Sequence, residues 1–305
     1  MKIQQKKRIG KMSVGSRTFS VINYVFFGIL TVICFYPFYY LIINSISAND
    51  LASSGKIMWR AVKIHFDNYK QVLQLSGFAR ALLVSVARTV IGTVCTVMAS
   101  AYLGFMFTQK RLWKRKLWYR MIVITMYFNA GIIPMYITMQ TLHLTNNFLV
   151  YILPSIVAPF NIILVKTYIE SIPESLQEAA ELDGASVYQV FWKIVLPISK
   201  PILSTCAIFS AVGQWNSFQD TLMYITDAKL YSLQYLLYTY TNQANSIASM
   251  AKNGATGALA NAATQLTASS VRVTVAVVVV LPILFVYPFF QKYFVKGMMI
   301  GSVKG

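Results

Sequence analysis

Six stretches of this chain are apolar and long enough to cross a lipid bilayer, and nothing else restricts its fold as tightly. A spanning helix needs about 20 mostly apolar residues. Segments 21–46, 81–108, 121–142, 148–169, 201–222 and 271–291 each meet that requirement. In hydrocarbon every backbone N–H and C=O must find a partner inside the protein, so such segments become helices. The expectation is an all-α membrane protein with six transmembrane helices within residues 21–291. Charged residues make up 12% of the 305, about half the share in an ordinary soluble domain. The first run follows Lys6, Lys7, Arg8 and Lys11. It is too long for the apolar core of a signal peptide, about 7–15 residues, and reads as an anchor.

Lys and Arg set the orientation, because they are retained on the cytoplasmic side. The tail 1–20 holds Lys2, Lys6, Lys7, Arg8, Lys11 and Arg17, and the connection after the second run holds Lys110, Arg111, Lys114, Arg115, Lys116 and Arg120. Lys292, Lys296 and Lys304 follow the last run, whereas the connection from His143 to Asn147 has no Lys or Arg. An even number of spans then puts both tails, 1–20 and 292–305, in the cytoplasm, together with segment 170–200. Lys56, Arg60, Lys63, Lys70 and Arg80 in the outer connection 48–80 run against this rule but are outweighed. The outer segment 223–270 reads as a loop, either flexible or reaching a partner.

A formal charge of +18 would point to nucleic acid in a soluble domain. Here the basic residues are scattered between apolar runs, so no nucleic-acid partner is expected, and the environment is membrane lipid. Cys34, Cys95 and Cys206 are odd in number and lack metal-ligand spacing, so neither a disulfide framework nor a metal site is expected. No phosphate-binding G-x-x-x-x-G-K-[ST] occurs, and no nucleophile-and-base grouping suggests an enzyme. Arg88 lies inside the second run, with Lys166 and Arg272 near the ends of two others. Such scarcity of intramembrane charge argues against a proton-coupled pump.

Four of the nine acids gather on one segment, SIPESLQEAAELDGASVYQVFWKIVLPISKP. Ser171 and Glu174 have the spacing of a capping box, with Pro173 in a tolerated first-turn position. The helix should end near Leu182, with Gly184 left-handed after it. Ser186 and Gln189 form a second box, and Val187, Val190, Phe191, Ile194 and Val195 line one apolar face. Pro197 and Pro201 should stop this second helix. The product is a cytoplasmic helix–turn–helix elbow. Glu174, Glu178, Glu181 and Asp183 surround the small pair Ala179–Ala180, a pattern that fits a solvated surface helix as well as a docking knob.

Glu178, Ala179, Ala180, Gly184, Ile194, Leu196 and Pro197 match E-A-A-x3-G-x9-I-x-L-P at every fixed position. The segment thereby resembles the signature loop of permease subunits in bacterial ABC importers of the type I class. That resemblance implies a coupling helix seated on an ATPase subunit, with Glu178, Ala179, Ala180, Asp183 and Gly184 at the contact. WNSF at Trp215–Phe218 is similar to W-N-x-F of maltose-type permeases, and KGMMIGSVKG at 296–305 resembles the ending that inserts between the two ATPase subunits, with Lys304 in it. Asn129-Ala130-Gly131 followed by Ile132-Ile133-Pro134 is similar to the branch handling alginate- and pectin-type oligosaccharides. The implied assembly contains a second related permease, an ATPase dimer that binds ATP and magnesium, and an extracellular solute-binding protein, all at the bacterial cell membrane. This chain itself would hold no cofactor.

Sugars are bound by aromatic faces and amide hydrogen bonds. The candidate substrate path therefore comprises Tyr127 and Asn129 in the third run with Gln214, Trp215, Asn216 and Gln219 in the fifth. The same residues would also serve as hydrogen-bonding glue between helices. Two other functions stay open: an ABC permease for a non-sugar solute, and a stand-alone secondary transporter, which would need inverted repeats and broken ion-binding helices.

Overall fold

A computed structural model describes residues 14–252 and 269–285. The N-terminal basic tail to residue 13, residues 253–268 and the end from residue 286, Lys304 included, lie outside the described residues. Among the described residues all regular structure is helical. The two longest apolar runs become continuous helices, α1 (Val14–Ser45) and α2 (Phe78–Met106). Most apolar side chains of α1, from Phe19 onward, are exposed. Its C-terminal end is tied down by Tyr36 and Tyr39, whose hydroxyls donate to Met58 O (3.2 Å) and Trp59 O (2.7 Å).

The third, fourth and fifth runs are helical but interrupted. The third is split into α3 (Arg115–Thr125) and α4 (Ile132–Thr141). Gly131 takes φ +87° at the break, and its N–H is held by Asn129 Oδ1 at 2.9 Å. A local side-chain bond of this kind offers the backbone an alternative to helix. The fourth run starts with two 3-10 turns and bends by 45° between Phe148–Ser155 and α5 (Pro159–Glu170), where Pro154 and Pro159 remove donors. Two described helices, Thr18–Ser45 and Phe78–Met106, are continuous and apolar enough to span; the number is four if each bent pair counts as one span.

The elbow is α6 (Ser175–Leu182) and α7 (Val187–Ile198), followed by α8 (Lys200–Asn216). α7 ends at Ile198, one residue after Pro197. A π-helical turn at Phe191–Val195 precedes it, and this wider turn accommodates the missing N–H and the bulk of the ring. The chain breaks at Ser199, between Pro197 and Pro201, and α8 departs at 78°. The expected loop 223–270 contains a 20-residue helix, α9 (Leu233–Lys252). Its LYSLQYLLYTY segment places Leu233, Leu236, Leu237 and Tyr240 at helical spacing, and they pack with Trp215, Val271, Val275 and Val279. The last run is present as α10 (Ser269–Phe285).

α2 is the axis of the bundle and packs against α5 and α8. Small residues permit the close approach. A Cβ on Gly104 would lie 2.8 Å from Val165 Cγ1 of α5, and one on Gly92 would lie 2.7 Å from Gln214 Nε2 of α8. One core sits at the elbow end of α2 and joins Phe105, Val165, Ile169, Val190, Phe191, Val195, Leu203 and Cys206.

Candidate functional site

The elbow is built by local rules with one exception. Gly184 has φ +83°, and no atom lies within 4 Å of the place its Cβ would take, so the backbone alone demands glycine there. The second capping box forms: Gln189 N–H donates to Ser186 Oγ (3.4 Å) and Ser186 N–H to Gln189 Oε1 (2.8 Å). The first does not. Ser171 Oγ donates instead to Tyr168 O at 2.6 Å, finishing α5, and the cap of α6 is Glu174 without a side-chain bond.

The two elbow helices have different surroundings. Val190, Phe191 and Val195 of α7 are buried in the bundle, with the Phe191 ring 5.3 Å from Phe105 and 5.6 Å from Tyr102. α6 lies on the surface. Ala180 is half-buried against the same core, while Ala179, Glu178, Leu182 and Asp183 are exposed. Glu174 pairs with Lys110 (2.5 Å), Glu181 pairs with Arg111 (2.9 Å), and Gln177 Oε1 accepts from Gln109 Nε2 (3.3 Å). Glu174 also raises the Lys110 pKa above its ordinary value. Glu178 makes no ion pair among the described residues.

A second polar centre lies inside the bundle. Arg88 is 1% exposed, and every one of its N–H groups has an acceptor. Nε and Nη2 donate to Gln214 Oε1 (3.1 and 3.0 Å), Nη1 to Ser217 O (3.3 Å), and both Nη atoms to the Asp220 carboxylate. The guanidinium also stacks 4.3 Å from the Tyr151 ring centroid. Gln214 Nε2 in turn donates to Tyr151 O (3.0 Å) and Ser155 Oγ (2.7 Å). The Tyr151 hydroxyl donates to Leu230 O (2.7 Å), so Thr221 donates to it in the 2.9 Å pair they share. Beside this network is a cavity of about 460 Å³ lined by Arg88, Tyr151, Ser155, Asn161, Gln214 and Asp220, among others.

The six candidate path residues do not form one cluster. Gln214 lines the cavity. Trp215 faces the α9–α10 core, donating its indole N–H to Val279 O at 3.0 Å. Asn216 Oδ1 accepts from Gln234 Nε2 (3.0 Å) on the surface, and Gln219 is exposed. Tyr127, 81% exposed, and Asn129 lie in the break between α3 and α4. Asp220, Tyr151 and Ser155 escaped the sequence reading. The available signal was Arg88: an intramembrane cation requires a partner, and Asp220 closes the WNSFQD stretch.

Interrupted apolar helices around a buried ion-paired centre, with an acidic elbow outside it, are the build of a multi-pass membrane protein. Residues 96–300 match the family described as binding-protein-dependent transport system inner membrane component. The chain belongs to that family. It is 36% identical to Protein LplC of Bacillus subtilis, over 95% of this chain and 96% of the relative. It is 32% identical to the polygalacturonan/rhamnogalacturonan transport system permease protein YtcP of Bacillus subtilis, over 95% and 99%. Among solved structures, a bacterial ABC transporter involved in the import of the acidic polysaccharide alginate matches with a TM-score of 0.81 and 29% identity, covering 93% of this chain and 99% of that one.

Proposed function

We propose that this chain is a permease subunit of an ATP-driven importer for oligosaccharides. It works beside a second related permease, two ATPase subunits and an extracellular solute-binding protein. The observation that carries this is the elbow: a surface helix presenting Ala179, Glu178 and Asp183, joined through Gly184 to a helix rooted in the bundle core. A partner pushing on α6 displaces α7, and α7 is packed on α2, α5 and α8. The movement is transmitted because a close-packed core shifts as a body. In this reading the runs make six spans, both termini and the elbow are cytoplasmic, and ATP and magnesium belong to the ATPase partner. The C-terminal glycine-rich segment with Lys304 reaches between the ATPase subunits.

The path would run along the cavity at Gln214 and past the exposed Asn216, Gln219, Tyr127 and Asn129. Trp215 supports it from behind through Val279. Hydrogen-bonding amides and one open tyrosine face suit hydroxyl-rich ligands. The test is copurification followed by uptake in liposomes of oligogalacturonides, alginate oligomers, maltodextrins and arabinooligosaccharides. Transport of one of these that requires an ATPase partner is expected. Uptake without an ATPase would make the chain a secondary transporter, and uptake of only a peptide or an inorganic ion would remove the sugar reading. Asn216→Ala and Tyr127→Ala should alter apparent sugar affinity or rate at normal expression; if expression and stability drop together with transport, both residues are structural.

A further inference from the structure

We infer that the turn 107–115 after α2 is a strap that positions the elbow helix, with Gln109, Lys110 and Arg111 as its positioning residues. Three consecutive residues of the turn reach Gln177, Glu174 and Glu181 in that order. Those three partners stand at i, i+3 and i+7, which is one stripe of a helix. The turn is stiff on its own account. Thr108 Oγ1 and N–H both donate to Phe105 O (2.7 and 2.9 Å), and Gln109 N–H donates to Met106 O (3.1 Å). Arg115 Nη1 reaches back to Thr108 O at 2.6 Å, and Lys114 takes a left-handed φ of +48°. The strap therefore extends the rigid end of α2 onto α6.

The contacts divide the acids of the elbow between two duties. Glu174 and Glu181 are engaged within the chain, while Glu178 and Asp183 stay exposed, with Glu178 unpaired among the described residues. Arg111 and Lys110 are each 74% exposed, so each pair alone is weak and sensitive to salt. Three contacts on one stripe fix an orientation that no single one would hold. The role of the strap in transport rests on the coupling reading given above, whereas the restraint itself does not.

The test uses the assembled complex in lipid nanodiscs, with the three native cysteines replaced and spin labels at Trp113→Cys and Leu182→Cys. Both positions are exposed, at 68% and 89%. Arg111→Glu should broaden the label–label distance distribution about two-fold, since a segment relieved of contacts samples more orientations. It should also raise ATP hydrolysis without binding protein about two-fold, because closure of the ATPases is no longer held to the bundle. The swap Arg111→Glu with Glu181→Arg should return both readouts toward those of the native chain. An unchanged distribution in Arg111→Glu, or a swap that restores nothing, overturns the strap. A distribution that broadens and recovers while hydrolysis never moves upholds the restraint and overturns the coupling reading beneath it.

Discussion

Removing either member of the Arg88–Asp220 pair should cost more than removing both. Arg88 is 1% exposed and satisfies its N–H groups through Asp220, Gln214 and Ser217. In Asp220→Ala two of those donors lose their acceptors, and a full positive charge stays buried. Breaking a buried pair in this way costs about 3–5 kcal/mol. The Asp220 side chain is 20% exposed, so water reaches part of the site and the lower end, about 3 kcal/mol, applies. Arg88→Met leaves the carboxylate with Thr221 N–H (2.9 Å) and frees Gln214 Oε1, for about 3 kcal/mol again. The double variant has no buried charge; Gln214 Oε1, Ser217 O and Thr221 N–H lose neutral hydrogen bonds only, and with water entering where the carboxylate stood the cost is about 1–2 kcal/mol. Thermal unfolding of the complex in nanodiscs checks this. At roughly 2 °C per kcal/mol for a chain of this size, each single variant should melt about 6 °C lower and the double only about 2–4 °C lower. A double variant that melts near the sum of the singles would refute the pairing, as would Asp220→Ala melting with the native chain.

Gly184→Val should reduce transport and substrate-stimulated ATP hydrolysis while membrane insertion persists, because valine is strained at φ +83°; normal uptake would clear the elbow of a coupling role. Gly104→Leu should lower expression and thermal stability by about 1–3 kcal/mol, since its Cβ would meet Val165 Cγ1 at 2.8 Å and push α5 away. Trp215→Phe should cost about 1 kcal/mol through the lost bond to Val279 O, read as a small drop in melting temperature at unchanged uptake. Deleting residues 298–305, in the tail outside the described residues, should impair coupling or assembly with the spans intact; full activity of the truncated chain refutes that.

What periodicity and capping govern could be read from the residues, and what long-range packing governs could not. The end of α6 near Leu182, the left-handed Gly184 and the Ser186–Gln189 box are set by neighbours within four positions. The Ser171–Glu174 box failed because Ser171 sits one step past α5, and its hydroxyl completes that helix. Hydropathy locates apolar runs but is blind to their breaks: Asn129 and Gly131 act through a backbone bond, and the π turn ahead of Pro197 has no hydropathy signature. The helix α9 was hidden by its polar half, and its burial against Val275 and Val279 depends on residues about 40 positions away. The same limit applies to the site. Gln214 was found by its chemistry, but its partners Arg88, Tyr151 and Ser155 lie 59 to 126 positions from it.

The strap gives a reason for acids and bases to meet at one end of an otherwise basic chain. Under the orientation proposed here, Lys and Arg after α2 are retained on the cytoplasmic face. Lys110, Arg111, Lys114, Arg115, Lys116 and Arg120 supply that charge, and two of them also hold Glu174 and Glu181. The two duties are separable, because orientation follows the number of positive charges whereas the strap needs particular ones. Lys110→Gln with Arg111→Gln leaves four of these six basic residues in place. Its topology, read from the reactivity of single cysteines placed in the 1–20 tail and at Asn147, should therefore match that of the native chain. Its label distances between positions 113 and 182 should broaden as in Arg111→Glu. An inverted topology would show that these two charges orient the chain as well as strap it. Native topology together with a native distance distribution would leave Gln109–Gln177 as a sufficient tether and remove the ion pairs from the positioning role.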